Sequence, residues 1–244
     1  MNYAVTLAFD GTRYCGWQVQ NNAISIQQTV QDAAEKVFGK RPDVTGCSRT
    51  DSGVHAREYL CVISDVHPID TNALPIALNG CLPRDIAVLN AREVSEDFHP
   101  RYHCLQKEYQ YVLWNSRTKN VFDHRVWHCP RPLDHELMHA AAQKLVGKMD
   151  FRSYMAAGSK ITDTVRTVKY FNVTRDGDYI KLNVAADGFL YNMVRIMTGT
   201  LVQSAYGTER YADIEKITLA KDRNAAGMTA PPDGLFLNKL VYMR

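Results

Sequence analysis

The sequence predicts an α+β fold made of two sheet-plus-helix units. Three observations predict it. Short alternating apolar runs recur at strand length. Apolar residues at helical spacing recur between them in both halves of the chain. Many strand neighbours are joined by turns too short for a crossover, so antiparallel pairing should dominate. No repeat is visible by residue identity, and no segment is of low complexity.

Taken in order, Tyr3, Val5, Leu7 and Phe9 alternate with smaller residues and read as a strand ended by Asp10-Gly11. A loop with Arg13, Tyr14, Trp17 and Gln18 follows. Ser25 is a good N-cap for a helix whose apolar face is Val30, Ala33, Ala34, Val37 and Phe38, and Gly39 stops it. Residues 46–56 are polar and turn-rich, and a strand is expected over Tyr59–Ser64. Thr71–Leu82 is expected to be helical, with Leu74, Ala77, Leu78 and Cys81 on one face; Pro75 fits only near its first turn. Ile86–Val94 reads as another strand.

The second half follows a similar order. Tyr109, Tyr111 and Leu113 alternate as a strand. A basic stretch with Arg117, Lys119 and Arg125 leads to Asp134, which caps a helix with Met138, Ala141, Ala142 and Leu145 inward and Gly147 at its end. Thr164–Thr174 and Tyr179–Ala185 form an expected hairpin across Arg175-Asp176-Gly177-Asp178. Leu190–Ala205 is the longest apolar helix, stopped near Gly207. Asp213–Ala220 reads as a short helix and Leu235–Tyr242 as a last strand. The halves meet near His99–Gln106, which gives expected domains of residues 1–103 and 104–244.

Composition sets bounds on function. The 244 residues are 45% hydrophobic and 23% charged, ordinary values for a globular chain able to bury a core. The balance of 29 Lys+Arg against 26 Asp+Glu gives a net charge of +3, which permits an anionic partner without demanding one. Six cysteines show no C-x-x-C spacing, so neither a zinc ribbon nor a redox pair is indicated. No apolar run is long enough for a membrane span, and the N-terminus lacks an apolar signal core, so a cytoplasmic protein with reduced thiols is expected.

The most unusual stretch is Cys47-Ser48-Arg49-Thr50-Asp51-Ser52-Gly53-Val54-His55-Ala56. Asp-Ser-Gly is turn chemistry, so Asp51 should sit on a loop between extended segments. With Arg49 and His55 as flanking positive groups, such a carboxylate can be held ionised, as a nucleophile or base at neutral pH must be. A plain surface turn is the bland reading of Asp-x-Gly alone.

The rest of the chain supplies company for this motif. Asp10-Gly11-Thr12-Arg13-Tyr14-Cys15-Gly16-Trp17-Gln18 precedes it. Ala77-Leu78-Asn79 with Leu82-Pro83, Phe98-His99-Pro100-Arg101-Tyr102 and Lys107-Glu108-Tyr109-Gln110-Tyr111 follow it. Val165-Arg166-Thr167-Val168, Phe189-Leu190-Tyr191-Asn192-Met193-Val194-Arg195 and Ala230-Pro231-Pro232-Asp233-Gly234-Leu235 come later. In these blocks and their order the chain resembles the tRNA pseudouridine synthase A family over nearly its whole length. The departure is Ser48, where many members have glycine.

The resemblance implies two ferredoxin-like (RRM-like) units with mostly antiparallel sheets and the active-site cleft between them. It implies isomerisation of uridine to pseudouridine in the anticodon stem-loop of tRNA, at the family's positions 38, 39 and 40. Asp51 matches the essential aspartate, a nucleophile or base acting on the uridine or its sugar. Tyr109 matches the tyrosine that stacks on the target base, Arg195 the arginine that pairs with the aspartate, and Leu235 an apolar residue of the pocket. Arg49, Arg13 and Arg101 are expected substrate contacts. The implied partners are tRNA and a second copy in a homodimer. The isomerisation involves no redox change or phosphate hydrolysis, so no cofactor and no metal are expected.

These roles make physical sense on their own. A uridine in a helix must leave the stack to be worked on, and a tyrosine face offers it about 1–3 kcal/mol of stacking. An arginine on an apolar helix is costly unless paired. Arg13, Tyr14 and Trp17, like Arg101, Tyr102 and Lys107, mix charge with aromatic surface, as RNA-binding loops do. The bland readings are Tyr109 as core, Arg195 snorkelling to the surface and Trp17 as a buried loop anchor.

Two competing readings exist. His135-Glu136-Leu137-Met138-His139 fits the H-E-x-x-H pattern of zinc hydrolases, with two histidines one turn apart and Glu136 as base. It falls in a helix's first turn, no further ligand follows in Ala140–Gly147, and three fixed positions match often by chance. The other reading is a non-catalytic tRNA-binding protein, which the intact Arg49-Thr50-Asp51, Tyr109 and Arg195 argue against.

Overall fold

A computed structural model describes residues 1–159 and 161–243. In chain order its elements are β1 (Asn2–Phe9), α1 (Ile26–Phe38), β2 (Asp43–Gly46), β3 (His55–Ser64), α2 (Ala73–Cys81), β4 (Ile86–Val94), β5 (Cys104–Trp114), β6 (Trp127–His128), α3 (His135–Gln143), β7 (Gly147–Asp150), β8 (Val165–Asp176), β9 (Tyr179–Ala186), α4 (Met193–Ala205), α5 (Ile214–Ala220) and β10 (Leu235–Tyr242). The fold is α+β with mostly antiparallel pairing, as the sequence predicts. The chain divides into two compact units, Met1–Leu105 with Phe236–Arg244, and Gln106–Leu235. The last strand thus groups with the first unit, whereas the expected domain of residues 104–244 kept it with the second. Pairing with a distant strand decides its place, and that pairing leaves no mark along the sequence.

In the first unit the strand order is β4-β1-β3-β10. β1 runs antiparallel to both neighbours, with Val5 opposite Cys61 on β3 and Ala91 on β4. Tyr3, Val5 and Leu7 are fully buried on one face of this central strand. The far edge of β3 is shared. β2 pairs antiparallel with its C-terminal part (Gly46 opposite Cys61), and β10 pairs parallel with its start (Phe236 opposite His55). Residues 47–54 run between β2 and β3, and this is the loop of Asp51. α1 follows the predicted pattern: Ser25 accepts from the Gln28 amide, Gly39 closes the helix at φ 72, and Val30, Ala33, Ala34 and Phe38 are buried while Val37 is half-buried. α1 packs on α2 and α2 on β4. Asn79 of α2 bonds the Val88 backbone in both directions, at 2.9 and 2.7 Å, which satisfies part of the β4 edge.

In the second unit the order is β5-β9-β8-β7, all antiparallel, with β6 added parallel to β5. The β8–β9 hairpin is longer than predicted. Asp176 pairs with Tyr179, so the connection is only Gly177-Asp178, with Gly177 at φ 58 as a tight hairpin turn requires. α3 starts as expected, Asp134 accepting from the amides of Glu136 and Leu137, but it ends at Gln143. Gly147, expected to end the helix, instead opens β7 at φ 121. α4 begins three residues later than expected, because Asn192 takes the left-handed conformation (φ 59) and breaks the run from Leu190. α3 packs against β8 and α4. None of the six cysteines forms a disulfide among the described residues.

Candidate active site

The Asp51 loop is fixed by backbone bonds to the Asp10–Trp17 segment. The Trp17 amide donates to the Thr50 carbonyl (3.3 Å), the Gly53 amide to the Tyr14 carbonyl (3.1 Å), and the Val54 amide to the Asp51 carbonyl (3.2 Å). Ser52 Oγ adds a bond to the Tyr14 carbonyl (3.3 Å), and the Tyr59 hydroxyl donates to the Ser48 carbonyl. The approach is too close for side chains. A Cβ at Gly16, which sits at φ 80, would lie 2.2 Å from the Thr50 oxygen, and one at Gly11 would lie 2.0 Å from the Val54 oxygen. The opening motif is therefore the backboard of the Asp51 loop. Asp51 itself is half-buried, Arg49 is exposed, and Thr50 between them is buried.

His55 has a different place from the flanking cation expected of it. It is buried and packs on Phe236, with ring centroids 4.8 Å apart. Its Nδ1 lies 3.0 Å from the Gly11 amide and 3.1 Å from Asp10 Oδ1. Without a proton that nitrogen accepts from Gly11; with one it donates to Asp10. Either state ties β3 to the opening motif.

The opening motif's aromatic residues are structural. Trp17 is 2% exposed and stacks on Tyr59 at 4.2 Å, so it is the buried anchor and not an RNA-facing surface. Tyr14 is buried and donates to Asp85 Oδ1 (2.8 Å); burial first, then Asp85, raises its pKa. Arg13 has a mostly exposed side chain yet is held by Asp85, through Nε at 2.9 Å and a second nitrogen at 2.5 Å. Arg101 is exposed beside the exposed Tyr102.

In the second unit, Tyr109 lies on β5 and is buried, meeting Phe189 edge-on at 5.1 Å. Leu235 is buried at the start of β10. It is positioned by the Pro231–Gly234 turn, which lies tight on β5. The Tyr111 hydroxyl donates to the Pro231 carbonyl (2.7 Å), and a Cβ at Gly234 would lie 2.5 Å from the Val112 oxygen.

Arg195 is half-buried in the first turn of α4 and does not simply snorkel. Its Nε donates to the Ala230 carbonyl (2.8 Å), while the Ala230 amide donates back to the Arg195 carbonyl (3.1 Å). A terminal nitrogen donates to Asn192 Oδ1 (2.8 Å). The segment reaching Ala230 lies along α4 because Gly199 has no side chain; a Cβ there would lie 1.9 Å from the Met228 oxygen. Thr200 Oγ1 accepts from the Gly227 amide and Gln203 Oε1 from the Met228 amide. Sequence reading has Asn192 and Ala230 only as members of motif blocks, with no role, and misses Gly199 and Gly227. Asn192 directly before a helix and glycines at 199 and 227 were the available signals.

The His135, Glu136 and His139 pattern is not assembled as a metal centre. His139 Nδ1 accepts from the Val173 amide (3.2 Å), a bond to the sheet, while Glu136 is exposed. Among the described residues no group of three or more His, Cys, Asp or Glu side chains could hold a metal, and no helix is long and apolar enough to cross a membrane.

Comparison with known proteins decides which family these residues belong to. The family described as tRNA pseudouridine synthase matches residues 5–103 and 141–243. The chain belongs to the tRNA pseudouridine synthase family. Among its relatives, a tRNA pseudouridine synthase A of Moorella thermoacetica is 44% identical over 243 residues, covering 98% of each chain. Another of Thermoanaerobacter sp. (strain X514) is 40% identical over 242 residues and 99% of each. A tRNA pseudouridine synthase A 2 of Clostridium perfringens is 39% identical over the same span. As a member of the pseudouridine synthase family the chain is an isomerase, and nothing in these relatives supports the zinc-hydrolase reading.

Proposed function

We propose that this protein isomerises uridine to pseudouridine in the anticodon stem-loop of tRNA, at positions 38, 39 and 40, with Asp51 as the nucleophile. Family membership over nearly the whole chain supports the reaction and the substrate class. The observation that carries the site is the Asp51 loop. Its backbone is locked by Gly16 and Gly53, and its carboxylate stays half-exposed, within reach of a substrate. In this reading Asp51 acts on the uridine, the N-glycosidic bond breaks, the uracil turns, and C5 bonds to C1′. The proton lost from C5 balances the one gained at nitrogen, so the reaction is redox-neutral. Tyr109 stacks on the base and assists proton removal, Leu235 lines the pocket, and Arg195 pairs with Asp51 and keeps it ionised. Arg49, Arg13 and Arg101 contact the RNA, with Arg13 exchanging Asp85 for phosphate. The working form in this reading is a cytoplasmic homodimer, supported by the family resemblance and testable by light scattering.

The test is an unmodified tRNA transcript incubated with purified protein in chelator, with pseudouridine mapped chemically. Site-specific product from the parent and at least about a thousandfold less from Asp51→Ala is expected, the scale seen when a nucleophile is removed. No product from the parent on several tRNAs that it binds would sink the proposal.

A further inference from the structure

Beside the Asp51 loop, the first unit has a pocket of about 260 Å³ whose wall includes Ser48, Arg49, Gln18, His99, Arg101 and Tyr102. Its chemistry is selective. Among the described residues no carboxylate lines it, while two exposed guanidiniums do. Tyr102 is 74% exposed, a large aromatic ring presented to solvent, and His99 stiffens it from behind with ring centroids 4.2 Å apart. His99 Nδ1 accepts from the amides of Arg101 (3.1 Å) and Tyr102 (3.4 Å), so the neutral ring carries its proton on Nε2 and offers a donor. Gln18 donates to Gln27 (3.0 Å), which leaves its own carbonyl oxygen as an acceptor. Ser48 Oγ is buried and has no hydrogen-bond partner among the described residues. Such an orphaned hydroxyl is uncommon and marks a place where a partner is missing.

A ligand that answers all of these features is flat, anionic and hydrogen-bonding at its edge. Ser48 is three residues from Asp51, so the two lie at most about 11 Å apart along the chain, the distance of an adjacent nucleotide or the one beyond. We propose that this pocket holds one unstacked RNA nucleotide flanking the target uridine, its base against Tyr102, its edge read by Ser48 Oγ once that side chain turns toward the pocket, and its phosphate on Arg49 and Arg101. The assignment rests on RNA being the substrate. It makes Ser48 a residue that sets preference for the neighbouring base.

The experiment is an anisotropy titration of the whole protein with an anticodon stem-loop RNA. The RNA is used intact or with an abasic nucleotide at each position flanking the target uridine in turn. One abasic position should weaken parent binding about tenfold, within the range of one stacked base. Tyr102→Leu should weaken binding of intact RNA by a similar factor and no longer distinguish the two RNAs. Ser48→Gly should lose about threefold, only when that position carries a base. The exposure of Tyr102 makes a folding failure an unconvincing cause, and Arg101→Ala, which should lower the salt dependence, gives a second handle. Equal abasic sensitivity in parent and Tyr102→Leu at every position would overturn the subsite. Pseudouridine formed by the same samples is scored separately. Product without coupling to Tyr102 sinks the subsite and keeps the activity; coupling without product supports the subsite and sinks the activity.

Discussion

The Asp51 loop and the Arg195 turn both depend on a glycine that lets two backbones touch, yet they hold their functional groups differently. At Asp51 the main chain is fixed, through Thr50 to Trp17 and Gly53 to Tyr14, while the carboxylate stays half-exposed. At Arg195 the side chain itself is tied, to Ala230 and Asn192. The first arrangement suits a group that must meet a substrate from a defined position. The second suits a cation whose task is to supply a fixed field, where preorganised charge gives its largest effect.

Arg195→Ala tests that contrast most strongly. Loss of a preorganised charge should lower kcat about a hundredfold or more. It should also cost about 1–3 kcal/mol of stability, since the Ala230 carbonyl loses its donor. An unchanged rate would remove Arg195 from the chemistry and leave it a purely structural tie.

Next come the glycines. Gly16→Ala and Gly199→Ala each insert a methyl where carbonyl oxygens stand at 2.2 and 1.9 Å. Overpacking of this kind costs about 1–3 kcal/mol or more, readable by chemical denaturation. Gly16→Ala should also lower kcat well beyond the loss of folded protein, because a displacement of about 1 Å at a reacting group can cost a hundredfold. Gly39→Ala is the control. It shares the positive φ but meets nothing within 4 Å, so it should lose about 1 kcal/mol and keep its kcat. If Gly16→Ala behaved like Gly39→Ala, the opening motif would not be positioning Asp51.

How much of this was legible in sequence follows from the range of the forces involved. α1 was readable to its caps because Ser25 and Gly39 act within one turn, and β10 was readable from its apolar residues on either side of Asn238-Lys239. Asp51 was legible through its motif. The short strands β2, β6 and β7 were not, since two to four residues carry no period and are set by the strands they pair with. The start of α4 was misread because Leu190 fits the apolar pattern while Asn192 leaves the helical region. The ties of His55 to Asp10 and Gly11 were not legible because those residues lie more than forty positions away. Long-range pairing, which no local rule encodes, accounts for most of these differences.

The smallest predicted effect concerns the segment that frames the exposed Tyr102. The pKa of His99 is held below the ordinary histidine value of about 6.5 by burial first, then by His103 and Arg101. The folded state therefore binds fewer protons than the unfolded state just below that value, and stability must fall as pH drops through it. Protonation would also cost the two amide bonds that Nδ1 accepts from Arg101 and Tyr102. Between pH 7.5 and 5.5 the parent should lose about 1–2 °C more in Tm than His99→Gln, a comparison in which the histidines remote from His99 cancel. If RNA affinity is measured at both values, the parent should also lose more of its Tyr102-dependent binding than the variant does. Identical losses in both proteins would mean that the turn from His99 to Tyr102 is held by its backbone alone and that its imidazole is a bystander.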